Sequence, residues 1–292
     1  MRKILYLAVL AVLVVSCRQS GQEESKSQSL SDADTELANI IGEVTSYWDK
    51  FDFADTTWLV RPRHELEQVF AQWVDGALIV YYEGGLALSD IPVRRAMVCD
   101  AMLVRFMEMG ERCFRDPNSP WRCEELYIPM LEVALASGVD DVHKSKYKAH
   151  LETAMMNRKG TIATDFAYVT AGGEPGRLHD VSTDYTLLYF FNPGCHDCER
   201  VSGIISTSPK INTLIVQGRL TVLALYPDED MTAWNEHQGE NDESWITARY
   251  AAASERDKYD LPAIPNLYLL DRDKRVLLKD AMVEEVIGYL SM

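Results

Sequence analysis

The chain has 292 residues, with 29 Lys and Arg against 45 Asp and Glu, a formal net charge of −16. That balance, with no Lys/Arg-rich patch interleaved with aromatics, argues against a nucleic-acid partner and favours solubility without specifying a fold. The length points to two domains, each long enough to bury its own core.

The chain opens "MRKILYLAVLAVLVVSCRQS". Arg2 and Lys3 precede an uninterrupted apolar run from Ile4 to Val15, which is the length of a signal peptide and too short to span a bilayer comfortably. Val14-Val15-Ser16-Cys17 resembles the bacterial lipobox, which implies cleavage after Ser16 and lipidation of Cys17. Residues 17–33, rich in Ser and Gln and free of aromatics, read as a flexible tether. The expected location is therefore the cell envelope, with the protein held by a lipid and facing the periplasm.

Residues 34–158 read as an all-α domain. Leu37, Ile40, Ile41, Val44, Tyr47 and Trp48 recur at helical spacing, as do Leu66, Val69, Phe70, Trp73 and Val74 behind Pro62. "VRRAMVCDAMLVRFMEMG" and "EELYIPMLEVALAS" predict two more helices, separated by the turn-forming "RDPNSPWRC". Cys99 falls on an apolar helical stripe and reads as core, as do Met102, Met107 and Met109. With Cys17 assigned to lipid and Cys195 and Cys198 forming a tight pair, Cys99, Cys113 and Cys123 remain. That odd remainder leaves at least one thiol unpaired within the chain.

Residues 160–292 change texture. "DFAYVTAGGEPGRLHDV" predicts a hairpin, "YTLLYFF" and "LTVLALYP" buried strands, and "NLYLLDRDKRVLLKD" a second hairpin turning at Asp271 to Lys274. Helices are expected from Glu199 through Ile205, over "SWITARYAAASERDKY", and over the closing "AMVEEVIGYL". Strands alternating with helices and ending in an antiparallel hairpin predict an α/β domain with a mixed sheet flanked by helices.

Within that half, "FFNPGCHDCERV" sets Cys195 and Cys198 where a buried strand meets a helix. Three readings are open: a redox dithiol, half a zinc site, or a structural disulfide. The orphan amides and dipole of a helix N-terminus favour a thiolate on Cys195, and Cys198 follows one turn later, within disulfide reach. This is the arrangement a thiol–disulfide exchanger needs, one sulfur to attack and one to resolve. Zinc would require further ligands at fixed spacing; there is no second CxxC, and His179 and His237 lack neighbouring ligands, so no metal is expected.

"GTIATDF", "LLYFFNPGCHDCERV", "TVLALYPDE" and "LPAIPNLYLLDRD", in this order over roughly 130 residues, resemble the thioredoxin superfamily, and in particular TlpA/ResA-like proteins. The resemblance implies thiol–disulfide oxidoreductase activity without a cofactor. It also implies a cis-proline at Ile264-Pro265 that lies against the dithiol and helps present backbone groups to an extended substrate. Gly194, His196 and Asp197 would complete the surroundings. Gly194 stands where thioredoxin has Trp, and Tyr189 where it has a buried Asp that accepts the resolving thiol's proton. A protonated His196 would stabilise a thiolate and Asp197 would oppose it, so the direction of exchange is not set by these residues. The helical half resembles a domain of uncharacterised role that precedes thioredoxin folds in Bacteroidales lipoproteins. It carries no catalytic constellation and is assigned to partner choice or to homodimerisation. The expected partners are envelope proteins bearing thiols or disulfides, together with a redox donor or acceptor. The rival reading is a non-catalytic lipoprotein whose thioredoxin fold is a binding scaffold.

Overall fold

The computed structural model describes residues 22–292, with side chains from residue 33. The expected signal peptide and Cys17 lie outside the described residues. Of the segment expected to be a flexible tether, the described part from Gln22 onward is helical and belongs to α1 (Gln22–Ser46). Its closely spaced apolar positions begin at Leu37, with Leu30 the one large apolar residue upstream. Once that amphipathic part is helical, each residue added upstream gains a hydrogen bond without a new nucleation cost.

Two compact units divide the described chain. The first comprises residues up to Arg115 and Ser119–Gly138 and is helical. After α1 come α2 (Arg63–Gly84), α3 (Asp90–Ala96), α4 (Asp100–Gly110) and α5 (Glu124–Ala136). Its centre is aromatic: Trp48 has Phe51, Phe53, Phe70, Trp73 and Phe106 around it at centroid separations of 5.3 to 6.3 Å. The predicted face of α2 is the buried one, through Leu66, Phe70, Trp73 and Val74. Gly110 closes α4, and its missing Cβ makes room for Met130 of α5.

The helix expected over residues 93–110 is two helices. Cys99 lies between them in extended conformation (φ −149°, ψ 117°) as the N-cap of α4, and so does not sit on a helical stripe. Met97 and Val98 are apolar yet exposed at the surface, so the apolar run in the sequence continues across the break.

The second unit contains Asp116–Asn118 and Val139–Met292. It opens with α6 (Asp141–Met155), so packing divides the chain near residue 138 whereas the change in sequence texture falls near 158. Lys279 ties the end of α6 into this unit, donating to the carbonyls of Ala154 (3.0 Å) and Met156 (2.8 Å).

The sheet of this unit has seven strands: β1 (Ala167–Thr170), β2 (Pro175–Arg177), β3 (Tyr185–Phe190), β4 (Leu220–Tyr226), β5 (Ile246–Tyr250), β6 (Asn266–Asp271) and β7 (Val276–Lys279). Their order is β2-β1-β5-β4-β3-β6-β7. The β5-β4-β3 centre is parallel and both flanks are antiparallel. Strands β3 and β4 are apolar almost throughout because both faces are covered. Side chains alternate between those faces. Leu187, Tyr189 and Phe191 enter one core, shared with α7 (His196–Thr207), α8 (Pro209–Val216) and α10 (Val283–Ser291). Leu188 and Phe190 enter the other, with Phe166, Tyr259 and Tyr268.

Both predicted hairpins and both buried strands are present. The helix expected over residues 244–259 is not. Its first part is β5, paired to β4 and β1, and a 3-10 turn, Ala253–Lys258, follows. The alanine run suggested a helix, but Trp245, Ile246, Thr247 and Tyr250 favour a pleated surface and two waiting strand edges decide the outcome. Helices α8 and α9 (Met231–His237) were not foreseen.

Candidate active site

Strand β3 delivers the chain to the dithiol. Beyond Phe190, Asn192 and Pro193 lead to Gly194, whose φ of +68° is open to glycine at little cost. The turn closes with the Cys195 N–H donating to the Asn192 carbonyl at 3.3 Å. Cys195 is then the N-cap of α7, in extended conformation (φ −86°, ψ 110°). Its Sγ takes the place of a capping oxygen and accepts from the Cys198 N–H at 3.3 Å. The sulfur therefore sits at the positive end of the helix dipole with the Cys198 N–H directed at it.

The two thiols differ in surroundings. Cys195 is half-buried at the surface end of the helix, whereas Cys198 is buried at 3% exposure. Burial pushes the Cys198 thiol up to about 12, and the adjacent Cys195 and Asp197 add to this, while the Asn192 backbone N–H pulls the other way. His196 and Asp197 are exposed in the first turn of α7, with Arg200 Nε 3.7 Å from Asp197 Oδ1.

The Ile264–Pro265 peptide bond is cis. The register Phe190↔Asn266 brings Pro265 to the end of the sheet at which β3 releases the dithiol loop. Ile264 packs against the same core that Cys195 borders. The sequence elements singled out at residues 194–198 and 264–265 thus lie at the same end of the sheet. Among the described residues no group of three or more His, Cys, Asp or Glu is placed to hold a metal ion.

Sequence reasoning treated Tyr189 only as a departure from thioredoxin. It is in fact in contact with the dithiol helix, its hydroxyl donating to the Cys198 carbonyl at 2.7 Å. The period of two along "YTLLYFF" places Tyr189 on the face with Leu187 and Phe191, and that was the available signal. Trp245, which stands edge-on to Tyr189, was masked by the helical reading of its segment.

Cys113 and Cys123 are free thiols in the helical unit, each pushed up to about 11 by burial. Trp58 and Trp121 are half-buried: Arg61 lies 4.3 Å over the ring of Trp58, and Trp121 Nε1 donates to Asp75 at 2.9 Å.

Residues 44–157 match a family described as a domain of unknown function, DUF5106. No curated protein matches the chain significantly. Among solved structures, the chain is similar to a thioredoxin-like protein from Bacteroides caccae ATCC 43185. The identity is 36%, over 85% of this chain and 90% of that one, with a TM-score of 0.79. The C-terminal domain of an uncharacterised protein from Bacteroides fragilis NCTC 9343 is 40% identical over 47% of this chain and 99% of its own, with a TM-score of 0.46. The thioredoxin domain of a thiol-disulfide oxidoreductase from Bacteroides vulgatus is 17% identical over 46% of this chain and 95% of its own, with a TM-score of 0.39. By its likeness to the Bacteroides caccae protein along most of both chains, this chain belongs to the same family of thioredoxin-like proteins, with a DUF5106 domain ahead of the thioredoxin-like one.

Proposed function

We propose that the protein is a lipid-anchored, extracytoplasmic thiol–disulfide oxidoreductase that exchanges the Cys195–Cys198 dithiol with protein substrates. The observation that carries this reading is the pair's asymmetry: a half-buried sulfur capping a helix N-terminus, with a buried second thiol one turn behind it. Cys195, as thiolate, attacks a substrate disulfide. A Cys195–substrate bond forms and one substrate sulfur leaves with the electron pair and takes a proton from water. Cys198 then loses its proton and attacks Cys195 Sγ. The internal disulfide forms, the second substrate sulfur leaves, and two electrons have moved from protein to substrate. Run backwards, the same steps oxidise a dithiol. The direction follows from the couple's potential.

Ile264 and Pro265 are assigned to substrate support beside the pair, with Gly194, His196 and Asp197 shaping its entrance. The partners are envelope proteins bearing thiols or disulfides and a redox donor or acceptor. The helical unit is assigned to partner choice or dimerisation. Anchoring is assigned to Cys17: C17S should move the protein from the membrane fraction to the soluble one.

The test uses a soluble form lacking residues 1–17 and a protein disulfide as substrate. Reduction should depend on added dithiol, vanish in Cys195→Ser, and give trapped mixed disulfides in Cys198→Ser. A potential near that of thioredoxin would assign reduction, and one at the oxidising end would assign oxidation or isomerisation. Absence of exchange, together with absence of a measurable Cys195–Cys198 couple, would leave the fold as a binding scaffold.

A further inference from the structure

Tyr189 is fully buried, held by two ring contacts and by its place in the sheet. Phe191 stacks on it at 5.6 Å with 22° between the planes, Trp245 stands edge-on at 6.1 Å, and the sheet register fixes it between Ala224 of β4 and Leu267 of β6. From that point its hydroxyl reaches the Cys198 carbonyl, 2.7 Å away. The phenol's one proton is committed to that bond. Burial, with the two thiols beside it, also keeps the phenol from ionising anywhere near neutral pH.

The ionisable groups that face Cys198 are Cys195 and Asp197 from α7 and Tyr189 from β3, and the loop contributes the Asn192 N–H. Asp197 is turned to solvent beside Arg200. Tyr189 thus meets the resolving cysteine as a fixed donor to its backbone.

Resting on the exchange reading above, we propose that Tyr189 is a positioning residue for the resolving step. Its hydroxyl fastens the Cys198 carbonyl to β3, which sets where the second sulfur stands, and it takes no proton in the reaction. In that step the Cys198 proton passes to hydroxide or buffer and the sulfur bonds to Cys195 Sγ. The Cys195–substrate bond breaks, and the departing sulfur keeps the electron pair and is protonated by water.

The test is the reaction of the reduced full-length protein, in detergent and with Cys99→Ser in the background, with an aromatic disulfide that releases a coloured thiolate. The first release reports attack by Cys195 and the second reports resolution by Cys198. Tyr189→Phe should leave the first release within about twofold and slow the second about threefold to tenfold, by the same factor at every pH. Fluorotyrosine placed at 189 makes the hydroxyl more acidic while keeping the bond, and should leave the pH profile of the second release unmoved. An unchanged second release in Tyr189→Phe, equal slowing of both releases, or a pH-dependent factor in either variant would overturn the positioning role alone. A wild-type protein giving no second release would instead overturn the exchange reading, and the role of Tyr189 with it.

Discussion

Asn157 holds the carbonyl of Lys258 through its side-chain nitrogen at 2.8 Å and, through its side-chain oxygen, accepts the Thr164 N–H at 2.7 Å. One buried amide with a φ of +47° thus joins the start of the thioredoxin-like unit to the turn that precedes the Ile264–Pro265 bond. Asn tolerates that backbone conformation better than most residues. Asn157→Ala should cost roughly 2–4 kcal/mol, from two lost hydrogen bonds, a stranded amide and backbone strain. Asn157→Gly should cost about 1 kcal/mol less, since it loses the bonds and escapes the strain. Urea unfolding of the two variants measures the difference, and equal costs would show that the φ carries no penalty.

The thiols should separate in brief alkylation of the reduced protein at pH 7. Burial pushes Cys198 up to about 12 and Cys113 and Cys123 to about 11, so all three stay protonated at that pH. Peptide mass mapping should find the label on Cys195 and the half-buried Cys99, with the other three protected. Rapid labelling of Cys198 would contradict its burial.

Asp184, at the entry to β3, accepts from Arg219 at 2.8 Å and Arg272 at 2.6 Å. The Arg219 hydrogen bond, with help from Arg272, holds its carboxyl below the usual range. A carboxylate whose pKa is depressed on folding adds stability that is complete above its unfolded value, about 4, and is lost as pH falls through the folded value. The urea midpoint should therefore begin to drop below about pH 5 and keep dropping through the lowered folded value, less steeply in Asp184→Asn. Parallel curves for the two proteins would remove Asp184 from the account.

In the helical unit, two neighbouring tryptophans should respond differently to the same change. Trp73 Nε1 donates to the Val44 carbonyl at 3.1 Å, whereas Trp48 Nε1 has no partner among the described residues. Trp73→Phe gives up a buried hydrogen bond and should destabilise by about 1 kcal/mol more than Trp48→Phe. Trp48→Ala, which empties the centre of the cluster, should cost about 3–5 kcal/mol. Denaturation followed by far-ultraviolet dichroism would read all three.

The sheet was legible because β3 and β4 are unbroken apolar runs and both hairpins carry turn residues at the right places. The dithiol was legible for a related reason: a short polar loop between a buried strand and a helix is visible in one dimension. Residues 244–259 were misread because their secondary structure is decided by β4 and β1, which lie far away in sequence, and an alanine-rich run alone gives a helical signal. The break at Cys99 was missed because Met97 and Val98 are apolar yet exposed, so the helical count could not tell a surface corner from a continuing face. Tyr189 was seen as a mismatch rather than as a donor, since its partner is a backbone carbonyl and carbonyls have no letter in a sequence.

The ends of β3 and β4 and the start of β6 lie level, with Phe190 opposite both Leu225 and Asn266. Three connecting segments therefore hang from one rim: the dithiol loop, the stretch between β4 and β5 that contains α9, and the approach to Pro265. The register is set by strand pairing, and the strands that set it are thereby distinct from these segments, one of which carries Cys195 itself. The stretch that contains α9 is the one of the three that carries neither a cysteine of the pair nor Pro265. A change in that stretch would alter the border of the dithiol while leaving Cys195, Cys198 and Pro265 where they are.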